Sequence, residues 1–255
     1  KAGLGLSNIQ VGALSTIRNV VGGLVNLPAG FAADRFAQSR PMILGLSIAL
    51  TGAFGLALGL ATNYGLAILA STLMVVAITL WHPSAISSLS QQFAARRGLA
   101  ISLHGTGGSA GEALGPIVAG ALLAVLGWRT VLQGSVVPAV AIGITIWLIL
   151  RSIPRSDSNS SSMREYIGSA GRLLLHRRLL LVLLFAGGFA GGQSVVMTFL
   201  PIYLREDLGF SSMALGVYLS LAQVAGVATQ PLMGYLSDRL GRKAVLVPSL
   251  AVLGF

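Results

Sequence analysis

Gly234-Tyr-Leu-Ser-Asp238-Arg239-Leu-Gly241-Arg242-Lys243 closes a long apolar run with a burst of charge. A weaker copy, Gly30-Phe-Ala-Ala-Asp34-Arg35-Phe-Ala37-Gln-Ser-Arg40, stands 204 positions earlier (238 − 34 = 204). The match runs upstream at the same offset through Leu4/Leu208, Gly5/Gly209, Ser7/Ser211, Gly12/Gly216, Val20/Val224, Gly22/Gly226 and Gly30/Gly234. With Asp34/Asp238 and Arg35/Arg239, nine of the 32 positions from Leu4 to Arg35 are identical. Each copy is laid out as a short loop, one apolar helix and a charged tight turn. A unit repeated after some 200 residues implies a chain built from two halves.

The composition says what those halves are made of. Hydrophobic residues make up 54% and charged residues only 9%, with mean hydropathy +0.82, whereas soluble domains carry about 25% charged residues. The apolar residues come in runs long enough for helices of about 20 residues to cross a bilayer. Spans are expected near residues 10–32, 41–62, 65–90, 99–126, 130–150, 179–204 and 211–234, with an eighth starting near Lys243. Period-2 alternation is absent, so the class is all-α integral membrane rather than β-barrel. Cysteine is absent, which excludes disulfides and thiol chemistry. The chain starts at Lys1 without a secretory signal. Repeat logic expects one more helix before Lys1 and several after Phe255, a two-bundle protein truncated at both ends.

The net charge of +10 is distributed by loop. Thirteen of the 17 Lys/Arg fall in four alternate loops, at Arg35 and Arg40, at Arg96 and Arg97, from Arg151 to Arg178, and at Arg239, Arg242 and Lys243. The intervening loops hold Lys1, Arg129 and Arg205, and Arg18 lies inside a helix. This is the positive-inside pattern, with the basic loops cytoplasmic and the chain a multi-pass protein of the cell (inner) membrane. It lacks the basic–aromatic soluble face that nucleic acid requires, so the lipid bilayer is the expected partner. The polar stretch 151–178 divides a first bundle, 1–150, from a second, 179–255. Its part Met163–Arg178 reads either as an interfacial amphipathic helix with Arg164, Arg172, Arg177 and Arg178 near anionic headgroups, or as a solvated linker.

The Gly-x-x-x-Asp-Arg-x-Gly-Arg-Lys turn after a helix resembles the loop motif of the major facilitator superfamily, found there between helices 2 and 3 and again, often degenerate, between helices 8 and 9. The resemblance implies a two-bundle helical transporter, with this chain covering helix 2 to the start of helix 9. It departs at Ala37, where the family has glycine, and at Gln38-Ser39 before Arg40. Trp81-His82-Pro83, Arg96-Arg97-Gly98 and His104-Gly105-Thr-Gly107-Gly108 are similar to the drug-exporting branch related to fosmidomycin-resistance proteins. Gly111-Glu-Ala-Leu-Gly115-Pro116-Ile-Val-Ala119-Gly120 resembles the family's antiporter motif, with Ala119 replacing a glycine and Ser102 standing where another is expected.

The residues carry meaning of their own. At about 100° per residue His104, Gly108, Gly111 and Gly115 share one helix face, where small residues let two helices approach. Pro116 removes a backbone donor and permits a kink. Asp34 and Asp238, at helix ends, suit a latch with Arg or an adjacent helix N-terminus, a gate that breaks between conformers; the plainer reading is a topology anchor of Arg and Lys. Ionisable groups within spans are costly, so Arg18, His82, His104 and Glu112 are pathway candidates. Glu112 reads as a proton carrier or as a structurally held carboxyl. Arg18 reads as an anion anchor or as a partner for Glu112. The histidines read as relays or as local caps. Asn19, Asn26, Gln133, Gln193 and Gln223 are weaker candidates for lining a polar cavity.

No metalloprotease, nucleophile-elbow or phosphate-loop pattern occurs. The expectation is therefore a non-enzyme with no cofactor and no metal. The resemblance implies a secondary transporter moving a small-molecule substrate, expected to work by proton-coupled efflux. The alternatives are an uptake symporter or uniporter for an organic anion and, more remotely, a non-transporting sensor or scaffold.

Overall fold

In the computed structural model, residues 2–152, 162–240, 244–245 and 247–248 are described, and they are helical almost throughout. The order is α1 (Asn8–Arg35), α2 (Arg40–Leu60), α3 (Tyr64–Thr79), α4 (Trp81–Gln92), α5 (Arg97–Val125), α6 (Trp128–Gly134), α7 (Val136–Leu150), α8 (Met163–Leu174), α9 (Arg177–Glu206) and α10 (Ser212–Leu240).

The 204-residue repeat is realised in the backbone. Gly5 and Gly209 are the positive-φ residues among those described, at 63° and 68°, a region only glycine enters cheaply. Two residues on, Ser7 Oγ accepts from the Gln10 amide at 3.2 Å and Ser211 Oγ accepts from the Ala214 amide at 3.1 Å. The same left-handed turn and the same serine cap thus start α1 and α10, and the two starts differ by the repeat offset (212 − 8 = 204).

Two expected spans, 65–90 and 130–150, are each interrupted once. Leu80 separates α3 from α4 and Ser135 separates α6 from α7. Pro83 and Pro138 follow three residues later, where each ring displaces the carbonyl four residues back. The segment expected at 163–178 is a shorter helix, α8, because α9 begins at Arg177.

Among the described residues, five helical stretches are long and apolar enough to cross a membrane: Ala37–Leu60, Tyr64–Gln92, Leu103–Val125, Trp128–Leu150 and Arg177–Glu206. The helix expected to span 10–32 has the length, 28 residues, but Ser15, Thr16, Arg18, Asn19 and Asn26 dilute its apolarity.

Chain contacts define two compact units, Lys1–Ile101 with Leu126–Leu208, and Ser102–Val125 with Gly209–Phe255. In the first, burial runs opposite to a soluble protein. The buried apolar residues are nearly all alanines (Ala29, Ala33, Ala67, Ala70, Ala77), while Leu24 is 70% exposed and Ile9 84%. Small residues let backbones close together and large ones face outward, which is how helices associate where lipid tails are as apolar as leucine. α2 and α7 show it most clearly. A Cβ on Gly45 would stand 2.6 Å from the Gly143 carbonyl oxygen, and one on Gly143 would stand 2.5 Å from that of Gly45. At the far end Arg129 donates to the Gly59 and Ala61 carbonyls at 3.0 and 2.7 Å, closing the C-terminus of α2.

Backbone cannot yield as a flexible side chain can. Gly45→Val is therefore expected to cost about 1–3 kcal/mol and to lower the thermal unfolding midpoint of the purified protein, whereas Gly23→Val, where a Cβ meets nothing within 4 Å, leaves it unchanged.

Candidate functional site

The charged turn after α1 is organised by Arg40, which is 2% exposed. Its Nε donates to the Ala33 carbonyl at 2.7 Å and one terminal nitrogen to Gln91 Oε1 of α4 at 2.5 Å. The other terminal nitrogen reaches Asp34 Oδ1 at 3.4 Å, and Ser87 Oγ lies 3.4 Å from that same oxygen. One planar guanidinium thus binds the end of α1, the start of α2 and the end of α4 in three directions, as only arginine can. The Asp34 side chain is 38% exposed, so the ion pair is the weaker part and the buried hydrogen bonds the stronger. Gly30, one turn before Asp34, faces the Tyr166 hydroxyl of α8, 2.6 Å from where a Cβ would stand. Arg35 is exposed.

The second copy is placed alike in its helix: Gly234, Asp238 and Arg239 fall in the last turns of α10. Gly241, Arg242 and Lys243 lie outside the described residues.

Arg18 lies in α1 with its Nε buried and without a hydrogen-bond partner among the described residues, and Thr72 Oγ1 of α3 is in the same state. The register of the two helices runs through Tyr64 Oη donating to the Gln10 carbonyl at 2.8 Å and Gly22 against Val75. That offset of 54 (64 − 10 = 54) puts Thr72 at the height of Arg18 (18 + 54 = 72). Two buried polar atoms without partners among the described residues therefore fall at about one level of α1 and α3. His82 sits in the first turn of α4, exposed, just after the break at Leu80.

On another face of α1, Ser15 Oγ and Thr198 Oγ1 of α9 are 2.9 Å apart, and Asn19 Nδ2 donates to Ser194 Oγ at 2.6 Å. These two rungs share one antiparallel register (15 + 198 = 19 + 194 = 213). Beside them is a cavity of about 340 Å³ lined by Gly12, Ser15, Asn19, Gly191, Ser194 and Thr198 among others. Beyond the rungs, towards the basic end of α9, every residue from Leu180 to Gln193 is exposed. The two helices meet at the end remote from the charged turn and part towards it.

In the second unit, α5 and α10 approach closely at Gly120 and Gly216. A Cβ on Gly120 would lie 3.1 Å from the Gly216 Cα, and Gly216 packs against the Pro116 carbonyl. The Ile117 amide donates to Ser220 Oγ at 3.1 Å. The close approach is thus one to two turns beyond the Gly108–Gly115 stripe, since a Cβ at Gly105, Gly107, Gly108, Gly111 or Gly115 would meet nothing within 4 Å. Glu112 is exposed at the middle of α5 and His104 half-buried nearer its start.

A family model described as Major Facilitator Superfamily matches residues 1–255. The chain belongs to the major facilitator superfamily. It is thus a multi-pass membrane protein of a transporter family, not an enzyme family. It is similar to a fosmidomycin resistance protein of Escherichia coli, 24% identical over 96% of this chain and 60% of the relative. A probable 4-methylmuconolactone transporter of Cupriavidus pinatubonensis is 28% identical, with 95% and 58% covered. A probable sulfoacetate transporter of Cupriavidus necator is 28% identical, with 97% and 63% covered. The chain spans about three fifths of the length of these relatives.

In this superfamily chain, the loop-motif residues and the rungs differ in how they are found. Arg40 and Asp34 are readable from the motif, but Gln91, Ser87, Ser194 and Thr198 are not, because each is brought in by a distant helix. Among the polar-cavity candidates, Asn19 lines the cavity. Asn26 instead donates to its own helix at the Gly22 carbonyl, and Gln133 to the Gly59 carbonyl.

Arg40→Ala strands a buried carbonyl and an amide oxygen and is expected to cost about 2–4 kcal/mol, with Arg40→Lys restoring little. Asp34→Asn is expected to cost about 1 kcal/mol or less. Thermal unfolding of the three variants checks the order, and a larger loss for Asp34→Asn than for Arg40→Ala would refute it.

Proposed function

We propose that this chain works in a secondary transporter that moves a small organic solute by alternating access, exporting it in exchange for protons. The observation that carries the proposal is the α1–α9 pair, joined by the Ser15–Thr198 and Asn19–Ser194 rungs at one end and parted at the other. With the basic loops in the cytoplasm, the rungs become an outer gate and the parted end an inner opening. Two bundles, 1–150 and 179–255, joined by 151–178, would rock about the site between them, as transporters with internal repeats do. Glu112, an exposed carboxyl midway along the apolar helix α5, is the proposed proton carrier. His104 and His82 are each proposed, separately, as a proton relay or pH switch. Similarity to a protein named for fosmidomycin resistance supports export.

A second reading, uptake of an organic anion by symport or uniport, is favoured by the unpartnered buried Nε of Arg18. The names of the sulfoacetate and 4-methylmuconolactone relatives support it as well.

Three variants in proteoliposomes separate these readings. Glu112→Gln is expected to abolish substrate-driven proton flux while the protein stays folded, and flux at the parent rate would refute the proton-carrier role. Arg18→Gln is expected to lower flux of anionic substrates at least about tenfold, the worth of one charged hydrogen bond, and to spare cations if export of cationic solutes is the activity. The chain has no native cysteine, so Ser15→Cys with Thr198→Cys gives a clean pair. Oxidation is expected to stop transport and a reductant to restore it; undiminished transport in the crosslinked protein would remove the outer gate.

A further inference from the structure

We infer that α8 is a binding surface for an anionic membrane leaflet, and that Tyr166 transmits its position to the charged turn at the end of α1. The inference begins with the way α8 disposes of its charges. Ser162 Oγ accepts from the Glu165 amide at 3.2 Å, and Glu165 Oε2 accepts from the Ser162 amide at 2.8 Å. The carboxylate of the helix is spent on its own N-terminus. Arg164, Arg172, Arg177 and Arg178, all exposed, are left as a basic surface over α8 and the first residues of α9, with Arg172 also donating to Ser169 Oγ at 3.0 Å.

Helical spacing separates this surface from an apolar one. Met163, Ile167 and Ala170 recur at i, i+4 and i+7, Glu165 and Arg172 fall on the opposite side, and Arg164 lies at the flank between. Ile167 is 55% exposed and Leu175, just past the helix, 86%. An apolar edge in water beside a basic one is unfavourable, and the boundary between acyl chains and anionic headgroups satisfies both. Two features place α8 at that boundary. Only Leu175 and His176 separate it from α9, a helix apolar enough to cross the membrane. Its Tyr166 ring meets Phe31 edge to face at 5.7 Å, near the basic end of α1.

The same tyrosine supplies the coupling. Its hydroxyl occupies the space a Cβ would need at Gly30, one turn before Asp34 and the carbonyl of Ala33 that Arg40 holds. A leaflet that holds α8 down therefore braces the helix end on which the Arg40 cluster is built.

The test reads position rather than transport, so it can fail or succeed independently of the proposed activity. Ile167→Cys, the single cysteine of the chain, carries a polarity-sensitive fluorophore in nanodiscs of zwitterionic lipid alone or with roughly 30% phosphatidylglycerol. The expected result is a blue shift on adding the anionic lipid, with the immersed-to-exposed ratio falling about tenfold or more in Arg164→Gln/Arg172→Gln, since each headgroup attraction is worth roughly fivefold. Equal emission in both lipids, or a response that survives the double substitution, overturns the lipid surface. Tyr166→Ala is expected to keep the lipid response and to speed amide exchange over residues 30–40. Unchanged exchange there overturns the coupling.

Discussion

A buried guanidinium inside an apolar bundle is costly unless its nitrogens find acceptors, and Arg40 shows how this chain supplies one to each nitrogen. Its planar fork takes the Ala33 carbonyl, Gln91 and Asp34 at once. Meeting those partners fixes the angle at which α1 ends, α2 begins and α4 returns. Charge placed there by the loop pattern is thereby turned into geometry. Without the buried partners the same arginine would face water and serve only as a topology signal.

Away from this charged end, the same unit is held by closeness rather than by large side chains. α2 and α7 touch backbone to backbone at Gly45 and Gly143, and the buried residues are mainly alanine and serine. Such contacts rely on dispersion and shape, not on removal of apolar surface from water. Polar side chains are consequently concentrated where helices meet one another. Ser15, Asn19, Ser194 and Thr198 pair at one end of the α1–α9 seam, while the Arg18 Nε and Thr72 Oγ1 are buried without partners among the described residues. A helix with two such polar faces has less apolarity to spare, which is why α1 alone among the longer early helices falls short of a membrane-spanning composition.

The contrast between satisfied and unsatisfied groups is the functional content of the fold. Satisfied pairs such as Asn19–Ser194 define where helices are joined. The Arg18 Nε has no partner among the described residues, and Glu112 stands exposed at mid-helix. Both stand apart from the groups that hold the bundle together.

Much of this was legible in the residues themselves, because it is local. The 204-residue offset led to matching left-handed glycines at Gly5 and Gly209 and matching serine caps at Ser7 and Ser211, since caps and turns depend on three or four adjacent residues. Helix positions follow from apolar runs, whereas the breaks at Leu80 and Ser135 within two of those runs appear only in the structure. Residue chemistry also singled out Arg18, Glu112 and the Asp34–Arg40 turn. Only the tertiary structure decided which groups answer each other: Gln91 for Arg40, Thr198 for Ser15, Tyr166 for Gly30. It also moved the close approach of α5 from its glycine stripe to Gly120. The physical reason is range: a cap or kink is set within one turn of helix, whereas partners 51 or 183 residues apart meet only through the packing angles of every helix between them.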